Sequence, residues 1–147
     1  FSKLIEPLNY HVLDQKKDVL GICVGMQLMA DSSEEGILKG LGWVPGVVKK
    51  FNPELIKNKP KLPHMGWNSI KVIKESKLFE GINKNYGFYF VHSFYFEVKN
   101  NEDVMTETYY GENFTSSISR NNIYAVQFHP EKSHSNGIQL LKNFISY

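Results

Sequence analysis

Apolar residues recur at helical spacing where the chain begins: Phe1, Leu4, Ile5, Leu8 and Val12 fall on one face, and Pro7 within the run either kinks the helix or marks a late start. From Asp18 the period changes. Val19, Leu20 and Ile22 form a short apolar run that ends at Cys23-Val24-Gly25, after which Met26, Leu28, Met29 and Ala30 favour a helix, so the segment reads as strand, tight turn, helix. Residues 31–36 are polar, and Gly40, Gly42, Pro45 and Gly46 punctuate the next stretch, which predicts loop. Strands are then predicted over residues 47–51, 70–73, 88–98, 104–110, 114–119 and 123–128, all rich in β-branched and aromatic side chains. Helical spacing returns at the end, where Ile138, Leu141 and Ile145, flanked by Leu140 and Phe144, make an apolar face behind Ser133 or Ser135 as N-cap. Helices flanking a mostly central β region predict one α/β layer structure with an antiparallel component.

The bulk properties narrow this picture. The 147 residues suit a single domain over 1–147, and a composition 41% hydrophobic and 22% charged is that of a folded chain. A net charge of +2 with scattered lysines predicts no nucleic-acid partner. No apolar run reaches the length of about 18 residues that a membrane span needs, and no charged-then-apolar leader opens the chain, so neither a membrane association nor a signal peptide is expected. The single cysteine, Cys23, rules out an internal disulfide and a multi-cysteine zinc site, and points to a cytoplasmic setting.

The cysteine sits in Gly21-Ile22-Cys23-Val24-Gly25, a G-x-C-x-G sequence that is the thiol counterpart of the G-x-S-x-G nucleophile elbow. Glycines on either side let backbones approach closely, and the start of the following helix would lower the thiol pKa and aim free N–H groups at developing negative charge. By itself the pattern fits a buried structural cysteine beside turn glycines equally well. A general base changes the balance. His129 follows the strand 123–128 and is locked by Pro130 ahead of Glu131; side chains two apart share a face, so Glu131 can reach one ring nitrogen, fix the tautomer and stabilise an imidazolium. His64 and His92 are rival bases with no acid two residues away, and Gly40 and Gly42 lack the Gly-Lys-Ser/Thr of a phosphate loop.

Four ordered segments, GICVGMQLM (21–29), HMGWN (64–68), YFVHSFY (89–95) and AVQFHPEKS (125–133), together resemble the class I glutamine amidotransferases, and among them the glutaminase subunit of imidazole glycerol phosphate synthase. The resemblance implies a three-layer, flavodoxin-like α/β fold with helices on both faces of the sheet, and a triad of Cys23, His129 and Glu131. It implies that the backbone N–H of Val24, where the family usually carries leucine, is an oxyanion donor, and that Gln27 and Glu35 contact L-glutamine. Trp67 and Lys132 resemble positions that face a (β/α)8 synthase subunit in a heterodimer. The family's first strands and a glycine-rich loop with the second oxyanion donor come before the point where this chain begins, at Phe1.

The resemblance thus implies an enzyme that releases ammonia from glutamine for imidazole glycerol phosphate synthesis in histidine biosynthesis, with no metal or organic cofactor. A paralogous glutaminase feeding another synthase, for instance in sugar amination, would carry the same triad. A non-catalytic binding module of the same fold is a further alternative.

Overall fold

The computed structural model describes residues 2–146, so Phe1 of the first apolar face lies outside them. A helix, α1 (Ser2–Asn9), runs through Pro7 and passes into a single π turn over Tyr10–Asp14, so the proline neither stops it nor delays its start. Its apolar stripe is largely open: Leu4 and Leu8 are exposed, and the segment is anchored by buried Val12 and by the Trp43 indole, which donates a 2.8 Å hydrogen bond to Asn9 Oδ1. Then come β1 (Val19–Ile22), α2 (Val24–Leu28), β2 (Ser32–Ser33), β3 (Gly46–Lys50), β4 (His64–Asn68), β5 (Lys71–Val72), β6 (Phe88–His92), β7 (Phe94–Val98), β8 (Val104–Tyr110), β9 (Glu112–Arg120), β10 (Ile123–Val126) and α3 (His134–Ile145).

The main sheet has the order β1-β10-β9-β8-β5, antiparallel throughout except for the parallel pair β1 and β10. Strand alternation sends Tyr124 and Val126 of β10 to one face and Ile123 and Ala125 to the other, so each face carries its own core. One core holds Phe88, Phe128 and Leu140 of α3; the other holds Met26 of α2, Val12, Val48, Phe96 and Ile118. Helices therefore cover both faces, which is the three-layer arrangement.

Two smaller ladders, β2-β3-β7 and β4-β6, complete the β structure. Here the sequence pattern and the structure part. The continuous strand 88–98 is two strands, because β6 pairs with β4 while β7 pairs with β3, and the chain changes sheets at Ser93, whose carbonyl accepts from the Phe51 N–H at 3.2 Å. The strands β2 and β4 lie where no strand is predicted: β2 is two polar residues, and β4 contains Gly66 and a histidine. Ser133 does occupy the N-cap position of α3, but its hydroxyl donates to His129 O at 2.6 Å and accepts from the Tyr89 N–H at 2.9 Å instead of capping the helix.

Beneath the β4–β6 ladder runs a buried polar chain. His92 Nδ1 lies 2.7 Å from the Phe94 carbonyl, which can only accept, so that nitrogen carries the proton and Nε2 is an acceptor. His64 Nδ1, 3.0 Å away, must then donate to it, and His64 Nε2 accepts from the Asn68 amide at 3.1 Å. The second amide proton of Asn68 goes to the Tyr109 carbonyl at 3.0 Å. Both imidazoles are thereby held neutral in defined tautomers. Burial pushes His64 down to about 4, and burial, with His64 and His129 nearby, pushes His92 down to about 3 against the favourable Phe94 contact. Neither ring is free to act as a general base.

These folded-state values lie below that of an unfolded histidine, about 6.5, so on acidification the unfolded chain takes up these two protons first and stability is lost as pH falls from there towards 4 and 3. Thermal unfolding followed from about pH 7 to about pH 4.5 is expected to show a falling Tm in the unmodified chain. His92→Gln is expected to have a lower Tm at neutral pH and a shallower decline across that window, because one linked proton has been removed.

Candidate active site

Cys23 stands between the last residue of β1 and the first of α2, and its backbone is in the left-handed region at φ 51° and ψ −109°, a strained conformation for a side-chain-bearing residue that costs on the order of 1–3 kcal/mol. Register explains what it faces. Ile22 lies opposite Val126, the Cys23 N–H donates to the Val126 carbonyl at 2.8 Å, and the chain then runs on from β10 through Gln127 and Phe128 to His129. Parallel pairing brings the carboxyl ends of both strands to one edge of the sheet, the place where open α/β sheets bind ligands. β6 lines the same edge: its Val91 carbonyl is 3.9 Å from the Cys23 sulfur, and its Tyr89 carbonyl accepts the His129 N–H at 2.8 Å.

The two elbow glycines are not equivalent. A Cβ at Gly21 would stand 2.9 Å from the Gly25 carbonyl carbon and oxygen and 2.7 Å from Met29 Cε, whereas a Cβ at Gly25 would meet nothing within 4 Å. Only the first of the pair is required by close packing.

His129 is followed by a 3-10 turn, Pro130–Lys132, which carries Glu131 back over the ring. Glu131 Oε1 lies 2.5 Å from His129 Nδ1. A carboxylate only accepts, so Nδ1 holds the proton and the lone pair of the neutral ring is at Nε2. That Nε2 is buried and has no hydrogen-bond partner among the described residues. The histidine is mostly buried while its glutamate is half exposed.

The thiol lies in a mixed field. Burial pushes its pKa up, and the charges of Glu131 and Glu35 push the same way; hydrogen bonds from the Val24 N–H and the Gln127 carboxamide oppose them. Because α2 is only five residues long, these two donors rather than a long helix dipole supply the favourable field.

Glu35, on the exposed turn after β2, is fixed through its backbone, whose N–H donates to Ser33 Oγ at 3.1 Å. No hydrogen bond or ion pair engages its carboxylate among the described residues. Gln27, on α2, spends its amide nitrogen on Phe94 O and on Gln127 Oε1, each at 3.0 Å. Gln127 itself has no exposed surface and sends its Nε2 to within 3.6 Å of the Cys23 sulfur. Gln127 is not among the residues that the sequence singles out, since a glutamine inside an apolar strand has no spacing that announces chemistry. Trp67 and Lys132 meet on one outer surface: Trp67 is 51% exposed, its ring centroid is 6.3 Å from that of Tyr89, and Lys132 Nζ lies 5.7 Å from the Tyr89 ring centroid. Among the described residues no group of three or more His, Cys, Asp or Glu side chains is placed to hold a metal ion.

The unequal glycines give a direct test of the elbow. Gly21→Ala is expected to destabilise the fold by about 1–3 kcal/mol through overpacking, and Gly25→Ala to be neutral or stabilising by up to about 1 kcal/mol, as measured by denaturant unfolding.

The description Glutamine amidotransferase class-I belongs to a family profile that matches residues 4–146 of this chain. The chain is 50% identical over 145 residues to the imidazole glycerol phosphate synthase subunit HisH of Leptospira interrogans, covering 99% of this chain and 71% of that protein. It is 49% identical over 148 residues to the subunit of the same name from Bdellovibrio bacteriovorus, covering 97% of this chain and 70% of that one. In fold it is similar to the crystal structure of a glutamine amidotransferase from Thermotoga maritima, with a TM-score of 0.61 and 19% identity over 98% of this chain and 50% of that chain. A profile that spans nearly all of the chain, and relatives about half identical along it, establish that this protein belongs to the class-I glutamine amidotransferase family.

Proposed function

We propose that the protein is the glutaminase subunit of an imidazole glycerol phosphate synthase, hydrolysing L-glutamine to glutamate and ammonia and passing the ammonia to a (β/α)8 synthase subunit in histidine biosynthesis. The observation that carries this reading is the strained Cys23 elbow locked by parallel register to the strand end that holds the His129–Glu131 pair. The relatives' name, imidazole glycerol phosphate synthase subunit, supports the reading that the chain works as one subunit of such a synthase.

In the reaction, His129 Nε2 takes the thiol proton as the Cys23 sulfur attacks the side-chain carboxamide carbon, and the carbonyl π pair moves onto oxygen. The Val24 N–H, the backbone donor next to the sulfur, stabilises that oxyanion. When the intermediate collapses, the C–N bond breaks, His129 gives its proton to the departing nitrogen, and a thioester remains. Water then attacks with loss of a proton to His129, and the C–S bond breaks with its electron pair returning to sulfur, which takes that proton back from His129 as glutamate leaves. Glu131 holds the ring in the tautomer that leaves Nε2 free and stabilises the imidazolium each time it forms.

Glu35 presents an unengaged carboxylate suited to the substrate ammonium, and Gln27 retains its Oε1 as an acceptor beside the elbow. Trp67 and Lys132, on the outer surface of β4 and at the end of the triad turn, form the face that docks the synthase. An exposed tryptophan beside exposed Met65 is the kind of apolar anchor that partner surfaces use.

Cys23→Ala is expected to lower partner-dependent glutamate release by on the order of a thousandfold or more, with Glu131→Gln less damaging because that carboxylate is half exposed. Release that survives Cys23→Ala overturns the mechanism. Trp67→Ala is expected to weaken association with the synthase subunit by about 2 kcal/mol in titration calorimetry, with folding unchanged.

A further inference from the structure

Resting on the glutaminase reading, we propose that Gln127 is a further catalytic residue: its carboxamide N–H, aimed by Gln27, is the fixed donor that holds the Cys23 sulfur whenever that sulfur carries negative charge. The orientation comes from a chain of obligatory donors and acceptors. The Phe94 carbonyl can only accept, so the end of the Gln27 amide that faces it at 3.0 Å is the nitrogen. The same nitrogen lies 3.0 Å from the Gln127 amide and must donate there too, which makes that end of Gln127 its oxygen. The other end, the NH2, is therefore the one directed at sulfur, 3.6 Å away. The reversed amide would set two NH2 groups against each other and turn a carbonyl dipole towards a thiolate.

The donor is built in rather than incidental. Gln127 has no exposed surface, and its backbone N–H is bonded to Ser116 O at 2.9 Å, so both ends of the residue are fixed before substrate arrives. Two donors reach the sulfur in the resting site, the Val24 N–H and Gln127. Once Cys23 attacks, the Val24 N–H is needed by the oxyanion, and Gln127 is the donor that remains with sulfur. It has two moments of use. The first is the approach to attack, as the S–H proton leaves for His129. The second is thioester hydrolysis, when the C–S bond breaks and its electron pair returns to sulfur. A buried N–H that is already oriented stabilises that charge without reorganisation.

The test measures the pH dependence of Cys23 alkylation by iodoacetamide, without glutamine, in the full-length protein bound to its synthase partner, alongside steady-state glutamate release. Gln127→Met keeps length and apolar volume but removes the donor. It is expected to raise the alkylation midpoint by about one pH unit, which makes alkylation on the order of tenfold slower below both midpoints, and to lower kcat with KM little changed. Gln127→Asn, which withdraws the donor by one methylene, is expected to shift the midpoint the same way and serves if the methionine variant does not fold. In the unmodified protein the Gln127 side-chain amide signals are expected to shift with the thiol titration, and to lose that titration in Cys23→Ala. An unchanged midpoint in a folded Gln127 variant, or amide signals indifferent to the thiol, overturns the assignment. If glutamate release persists in Cys23→Ala, the glutaminase reading itself fails; if release is lost there while the Gln127→Met midpoint is unchanged, only the role of Gln127 does.

Discussion

The site depends on one ladder, the parallel pairing of β1 with β10. Cys23 enters from the first strand and Gln127 and His129 from the second, and the hydrogen bond from the Cys23 N–H to Val126 O is the last rung before both chains leave the sheet. A slip of one residue in that pairing would move the elbow along the sheet by about 3.3 Å and reverse the faces of every side chain on the slipped strand. The burial of β10 on both faces opposes such a slip, since Tyr124 and Val126 are committed to one core and Ile123 and Ala125 to the other. Packing far from the site thus fixes the spacing of Cys23 and His129.

The local environment of the sulfur works against its own ionisation. Burial and two carboxylates favour the protonated thiol, and only two hydrogen-bond donors oppose them. In the proposed reaction such a group is a poor standing nucleophile and depends on a base that removes the proton as attack begins. The open lone pair on His129 Nε2 suits that requirement, because Glu131 has already claimed the other nitrogen. Protection against adventitious alkylation or oxidation comes with the same arrangement, since the thiolate is the reactive form.

Much of this is legible in the residues. The strand-turn-helix around Cys23 and the two-residue spacing of His129 and Glu131 are local patterns, and local geometry realises them. The features that cannot be read are set by long-range pairing. Nothing at Ser93 marks a strand break, because the chain there divides between two partners, β4 and β3, that lie far from it in sequence. The first helix shows the opposite error: its periodicity implies a buried face, yet Leu4 and Leu8 stay exposed and the segment docks through Asn9 and Val12. Periodicity reports that a face exists and is silent on what covers it. Gln127 is illegible for a related reason, because its meaning depends on Gln27, a neighbour in space at a separation of 100 positions along the chain.

The buried histidine chain has a bearing on proton traffic. Relay along imidazoles requires that each ring accept at one nitrogen while releasing at the other, so that the whole row can reverse. In the row from Asn68 through His64 and His92 to Phe94 O, both termini are pinned: one ends on a carbonyl that cannot donate, and the other begins at an amide whose two protons are already committed to His64 and to Tyr109 O. Reversal would place oxygen against oxygen at Tyr109 and lone pair against lone pair at Phe94. The row is therefore a strut rather than a wire. It ties β4 to the peptide beside the elbow with fixed polarity, and it leaves the proton transfers of the proposed reaction to His129, whose Nε2 has no hydrogen-bond partner among the described residues.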